Sequence, residues 1–235
     1  MQATLTKYYH LAKPGIIYGN LLMYTAGFFV ASSRGIDWGL LIAGLSGLAM
    51  VIGGACVFNN IADREMDAKM DRTKKRAMVS RTISIKNATR FGYTLAILGL
   101  STLYFLTSYT AFLSALIGFA VYVFLYTPMK RRSPKALFVG AIAGAMPPVV
   151  GYTVVTNQYD LWAVALFVAI FLWQLPHFLA IGFKRYEEYA AAGVPLALRR
   201  GPVSEKERKI ADQIFVGSLV LLLVACLASA LWRLL

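Results

Sequence analysis

Long uncharged apolar runs restrict this chain more than any other feature of its sequence. Gly39 to Phe58 is twenty residues without a charge, about the length a helix needs to cross the hydrocarbon of a bilayer. Six further apolar blocks can be read, at about Ile16–Ser32, Phe91–Thr107, Ala111–Tyr126, Leu137–Val155, Leu161–Phe183 and Ile214–Ala230. Only 15% of the 235 residues are charged and 58% are hydrophobic, whereas a soluble domain is about a quarter charged. A segment in lipid must satisfy its backbone internally, and a helix does so by itself. The expected fold class is an all-α polytopic membrane protein with about seven transmembrane helices, forming a single transmembrane domain over 1–235.

The net charge is +13. A basic excess often points to nucleic acid, but here its placement decides. If the N-terminus is cytoplasmic, all 24 Lys and Arg except Arg34 and Arg233 fall on the cytoplasmic side, as the positive-inside rule requires. The charge therefore reads as topology, with anionic lipid or substrate as a second attraction, and no nucleic-acid partner is expected. Cys56 and Cys226 sit in apolar blocks without metal or disulfide spacing and read as packed thiols. The first block is long for a signal-peptide core and contains Asn20, so no cleavable signal is expected. Glycines and prolines punctuate the spans. Gly44, Gly47, Gly53, Gly54, Gly140, Gly144 and Gly151 predict close helix approach, and Pro147-Pro148 predicts a break or kink in the fifth span.

The inward segments 59–90, 127–136 and 184–213 are long and charged. At the first of them Asn59, Asp63, Asp67 and Asp71 recur every fourth residue. On a helix this stacks them along one face, where like charges repel and a membrane boundary penalises them further. A positive partner must offset both costs. Magnesium takes carboxylate oxygens and completes its shell with substrate phosphates. Arg72 and Arg76 follow, and arginine's planar fork suits phosphate. Together these groups predict a site for a metal-bridged diphosphate. On the sixth block, Trp173-Gln174-Leu175-Pro176-His177 is followed by Glu187 and Glu188. His177 reads equally as a hydrogen-bonded structural group and as an iron ligand or proton carrier. Pro176 predicts a local irregularity, and the two glutamates could hold a second metal. Lys130-Arg131-Arg132 marks topology first and a phosphate contact second, and His10 reads as interfacial. A cation-coupled transporter would also carry broken helices and intramembrane acids, but these acids lie at one face rather than at mid-membrane.

Several stretches carry a family resemblance: Lys13-Pro14-Gly15 with Asn20; Cys56 to Asn60 running on through Asp63, Asp67, Arg72-Thr73 and Arg76; Tyr126 to Arg132; Gly144 to Tyr152; Trp173 to His177; and Glu188-Tyr189 to Pro195. They resemble the UbiA-type intramembrane prenyltransferases, with the Asn-Asn pair and the Trp-Gln-x-Pro-His stretch pointing to the branch that acts on haem. The resemblance implies a ring of helices around a central cavity. It implies that Asn59, Asp63 and Asp67 bind Mg²⁺ and the diphosphate of farnesyl diphosphate, with Arg72 and Arg76 as the motif's basic tail. His177 would stand on the side of the acceptor, haem b. Lys13, Asn20, Asn60, Tyr126, Lys130, Arg131, Glu187 and Glu188 are the further substrate-binding candidates. A quinone precursor or chlorophyll-like acceptor is the alternative within the family. The family usually has nine spans, so this chain is expected to lack the last two, and many members carry aspartates where Glu187 and Glu188 stand. The setting implied is a bacterial inner membrane, with surrounding lipid and with a second copy or a haem A synthase as candidate protein partners.

Overall fold

The computed structural model describes residues 2–33, 35–195 and 202–234. Arg34, one of the two basic residues expected on the far side, lies outside the described residues. The elements are α1 (Gln2–Leu11), α2 (Pro14–Ala31), α3 (Trp38–Asp67), α4 (Ile85–Leu106), α5 (Tyr109–Ala120), a π-helical stretch (Val121–Tyr126) leading into α6 (Thr127–Met129), α7 (Ala136–Thr156), α8 (Leu161–Lys184), α9 (Tyr186–Ala191) and α10 (Glu205–Leu234). Four of the long helices start on side-chain caps that satisfy otherwise orphaned N–H groups. Asp37 accepts from the Leu40 N–H at 2.9 Å, Ser84 from Asn87 at 3.2 Å, Ser108 from Ala111 at 3.1 Å, and Asp160 from Trp162 and Ala163 at 3.0 Å each.

Among the described residues six helices are long and apolar enough to cross a membrane: α2, α3, the continuous helix Tyr109–Met129, α7, α8 and α10. The remaining expected block forms α4, whose first turns carry Lys86 and Arg90. Outward faces are apolar, with Phe105, Leu161 and Trp162 strongly exposed, which is the inverse of a soluble surface. The chain is an integral membrane protein.

Small residues bring the helices together. A Cβ on Gly99 would lie 2.6 Å from the Gly47 carbonyl, and one on Gly54 would lie 2.8 Å from that of Gly92, so α3 and α4 meet backbone to backbone. The neighbours run α2, α3, α4, α5, α7, α8, α10, and α10 returns to α2, closing a ring. Near the ends away from Lys13, α2 and α7 also touch directly. Gly27 faces the Pro148 carbonyl and Gly151 faces that of Tyr24. The same contact accounts for one departure from expectation. Pro147 and Pro148 do not break α7, which is helical from Ala136 to Thr156, because this stretch is clamped against α2. Nor does Pro176 interrupt α8, helical from Leu161 to Lys184.

Candidate functional site

Asn59, Asp63 and Asp67 occupy one buried face of the last turns of α3, each no more than 2% exposed. The row ends there. Asp71 lies beyond α3, almost wholly exposed and paired to Lys74 at 2.6 Å. Past Asp67 the chain tightens into turns, in which the Met70 N–H at 3.3 Å and the Thr73 hydroxyl at 2.8 Å both donate to the Asp67 carbonyl. The four-residue period of the sequence therefore outruns the helix by one step.

The chain itself supplies cations to this face. Lys13 Nζ donates to Asn59 Oδ1 at 2.5 Å. Lys130 pairs with Asp63 Oδ2, and Arg131 reaches Asp63 Oδ1 at 3.2 Å and also the Ala62 carbonyl. Arg76 pairs with Asp67 Oδ2 at 2.7 Å. Burial pushes the Lys13 amine down to about 8, against the opposing field of Asp63, and it lowers Lys130 as well, against the pull of Asp63. Lys13 also has a left-handed backbone, φ 56°, a conformation uncommon for a residue with a side chain. Pro14 begins α2 directly after it, and proline suits that first helical position.

The other basic residue of the motif goes elsewhere. Arg72 meets Glu188 at 3.3 Å, and Arg185 holds the second oxygen of that carboxylate at 2.9 Å. Glu187 pairs with Arg208 at 2.7 Å. Both glutamates are thus engaged by arginines. Nearby, Tyr189, Ala192 and Val194 pack on Met66 and Met70, so the segment after α8 is tied to the end of α3. Asn60 also faces the chain, donating to the Leu11 carbonyl at 2.8 Å and accepting from Arg76 at 3.4 Å. It anchors the end of α1 beside the acid face.

A cavity of about 440 Å³ lies within the ring, walled mainly by apolar side chains and by Asn20, Tyr122, Tyr126, Gln174 and His177. The π-helical stretch gives Tyr122 and Tyr126 their stacked arrangement, with ring centroids 5.3 Å apart. Single π turns inside α-helices are frequent at functional sites. The Lys130 amine lies 5.5 Å from the Tyr126 ring, so this tyrosine joins the cavity wall to the charged end. Asn20 donates to the Ile16 carbonyl at 2.7 Å. His177 is stacked between Trp173 and Phe215.

Three polar residues beyond the candidate set bear on the site. Thr127 accepts from Asn59 Nδ2 at 3.0 Å and donates to the Tyr122 carbonyl at 2.8 Å. Gln174 is buried with no partner for Oε1. Ser218 binds His177 from α10 at 2.8 Å. Thr127 and Ser218 are ordinary polar residues whose partners Asn59 and His177 are remote in sequence, and the only local signal was a polar side chain within an apolar run. Two carboxylates and a carboxamide are the hard oxygen donors that magnesium accepts. Among the described residues no group of three or more His, Cys, Asp or Glu side chains could hold a metal without help, so phosphate oxygens and water would have to complete its shell. The surrounding lysines and arginines fit those same phosphates, and the donor set is compatible with a magnesium diphosphate.

The model of the UbiA prenyltransferase family matches residues 20–235. A protoheme IX farnesyltransferase of Pseudomonas savastanoi pv. phaseolicola is 43% identical over 200 residues, 84% of this chain and 68% of that protein. One from Acinetobacter baumannii is 45% identical over 193 residues, 82% of this chain and 66% of that protein. The chain therefore spans about two thirds of the length of these curated relatives. Among solved structures, a UbiA homolog from Archaeoglobus fulgidus bound to GPP and Mg²⁺ superposes with a TM-score of 0.68 at 17% identity, covering 93% of this chain and 86% of that one. Another structure of a UbiA homolog from the same organism gives 0.72 at 18% identity, covering 97% and 86%.

Proposed function

Because the chain belongs to the UbiA prenyltransferase family, we propose that it transfers the farnesyl group of farnesyl diphosphate to a vinyl group of haem b, giving haem O and diphosphate. The observation that carries this reading is the buried Asn59-Asp63-Asp67 face, surrounded by Lys13, Arg76, Lys130 and Arg131 at the end of a ring that encloses an apolar cavity. The names of the relatives support haem as acceptor and farnesyl as donor. We place the protein in a bacterial inner membrane with its N-terminus and the acid face cytoplasmic.

Magnesium held by Asn59, Asp63 and Asp67 would supply charge neutralisation for the leaving diphosphate. The chain's own part is to hold the diphosphate in line and shield its charge as the C1–O bond lengthens and the electron pair leaves with oxygen. Lys13, Arg76, Lys130 and Arg131 are the groups that do so, giving part of their contact with the carboxylates to phosphate oxygens. The terminal carbon of the vinyl group then bonds to C1, the cation formed beside the pyrrole takes up water, and one proton is released. Tyr122 and Tyr126 present aromatic faces in the cavity wall that favour cationic carbon, and the apolar lining keeps water from the allylic carbon before transfer.

The test is incubation of the purified chain with haem b, farnesyl diphosphate and Mg²⁺, read by mass spectrometry for haem O. Diphosphate release without haem O would transfer the assignment to another acceptor. Lys13 gives a sharper check on the donor side. Lys13→Met is expected to raise KM for farnesyl diphosphate about ten-fold, the loss of one charge-assisted hydrogen bond of ~1.5 kcal/mol, with haem affinity unchanged and partial recovery in Lys13→Arg. An unchanged KM would remove Lys13 from the diphosphate site.

A further inference from the structure

His177 has a setting that its role as a cavity residue does not by itself require. Its ring lies between two aromatic rings, Trp173 at 5.0 Å and 17° and Phe215 at 5.1 Å and 22°, so it is held in one plane. Its Nδ1 lies 2.8 Å from the Ser218 hydroxyl oxygen. That hydroxyl has one proton and two acceptors in reach, Nδ1 and the Phe215 carbonyl at 2.7 Å, of which the carbonyl can only accept. With the proton directed to the carbonyl, the oxygen accepts from His177 and the neutral ring carries its proton on Nδ1. Nε2 is left with its lone pair. A histidine that ligates a metal commonly has its other nitrogen tied to an acceptor in this way, which fixes tautomer and ring orientation together.

We infer that Ser218 is a positioning residue that holds His177 in the Nδ1–H tautomer, so that Nε2 serves as an axial ligand to the iron of the haem acceptor. The inference rests on haem being the acceptor, as proposed above. It gives α10 a part in the site. Besides closing the ring, α10 supplies the hydroxyl that orients His177, the Phe215 ring that stacks on it, and the Ser218 carbonyl that accepts from Trp173 Nε1 at 3.0 Å. No electron or group is transferred in this step. A ring nitrogen donates a lone pair to iron, which fixes the tetrapyrrole relative to the diphosphate end and so selects which vinyl group is presented.

The test is titration of haem b into the purified chain, with the iron–histidine stretching band of the ferrous complex read by resonance Raman spectroscopy. The unaltered protein should show the band and His177→Ala should lose it. Ser218→Ala should weaken haem binding about ten-fold and shift the band, whereas Ser218→Thr, which keeps a hydroxyl, should restore both. Ser218→Ala leaves the carbonyl bonded to Trp173 in place and improves helix propensity, so loss of the fold is not the expected route. Unchanged affinity and an unmoved band in Ser218→Ala would overturn the inference, as would a band that survives in His177→Ala. Haem O production without any histidine-dependent band would overturn it while leaving the farnesyl-transfer reading intact. Absence of both haem binding and transfer would remove that reading and this inference with it.

Discussion

Asp63→Asn is expected to lower farnesyl transfer by about 10²–10³-fold or more, the scale on which removing a single charge-stabilising group slows an enzyme, while haem binding persists. The replacement is nearly isosteric, so what it removes is charge. That charge has two uses. It is one of the proposed metal-binding carboxylates, and it is the counter-ion of Lys130 and Arg131. Lys130 is itself buried, and breaking a buried pair by removing one partner costs about 3–5 kcal/mol because the other charge stays uncompensated. Arg131 is more than a third exposed, so solvent screens its share. A fall in activity could therefore reflect folding alone. The double variant Asp63→Asn/Lys130→Met separates the two effects. With the stranded amine removed, thermal stability should recover, and transfer should remain lost because no carboxylate has returned and Lys130 no longer faces the diphosphate. Recovery of turnover along with stability would show that Asp63 serves only to neutralise Lys130. Near-normal turnover of Asp63→Asn would sink the diphosphate assignment outright.

Gly151→Ala is expected to have the largest effect on the fold. The added Cβ would come 2.0 Å from the Tyr24 carbonyl and 2.9 Å from the Phe28 nitrogen. Both are backbone atoms of α2, so no rotamer change relieves the clash. The helices must separate, and the surrounding Tyr24, Phe28, Val150 and Val154 cluster opens with them. Overpacking typically costs about 1–3 kcal/mol and more where the backbone must move, and the upper end is expected here. The thermal midpoint of the detergent-purified protein measures it. Gly217→Ala is the control, since a Cβ there meets nothing within 4 Å and alanine is the better helix former. Equal midpoints for the two variants would mean that the α2–α7 contact is not needed for stability.

Much of this architecture was legible in the sequence because it depends on local periods. Twenty uncharged residues between Gly39 and Phe58 leave a chain few alternatives to a span. The four-residue recurrence of Asn59, Asp63 and Asp67 placed them on one face before any helix was seen. Asp71, next in that recurrence, lies past the end of α3, where tight turns and the Thr73 contact replace the helix and periodicity encodes neither. Of the break or kink expected at Pro147-Pro148, no break occurs: α7 runs unbroken from Ala136 to Thr156, with this stretch packed against α2.

Local periods in the chain dictate an α-helical membrane protein and one acidic face that has to be neutralised. How it is neutralised depends on contacts between distant segments. Lys13 reaches Asn59 across 46 positions, Lys130 reaches Asp63 across 67, Arg72 turns from its own motif to Glu188 across 116, and Ser218 orients His177 across 41. The reason is physical. The spacing of side chains along a helix follows from covalent geometry and hydrogen bonding within one segment. Which ends of which helices meet follows from the close approach of small residues between segments, and that approach brings the countercharges to the acid face.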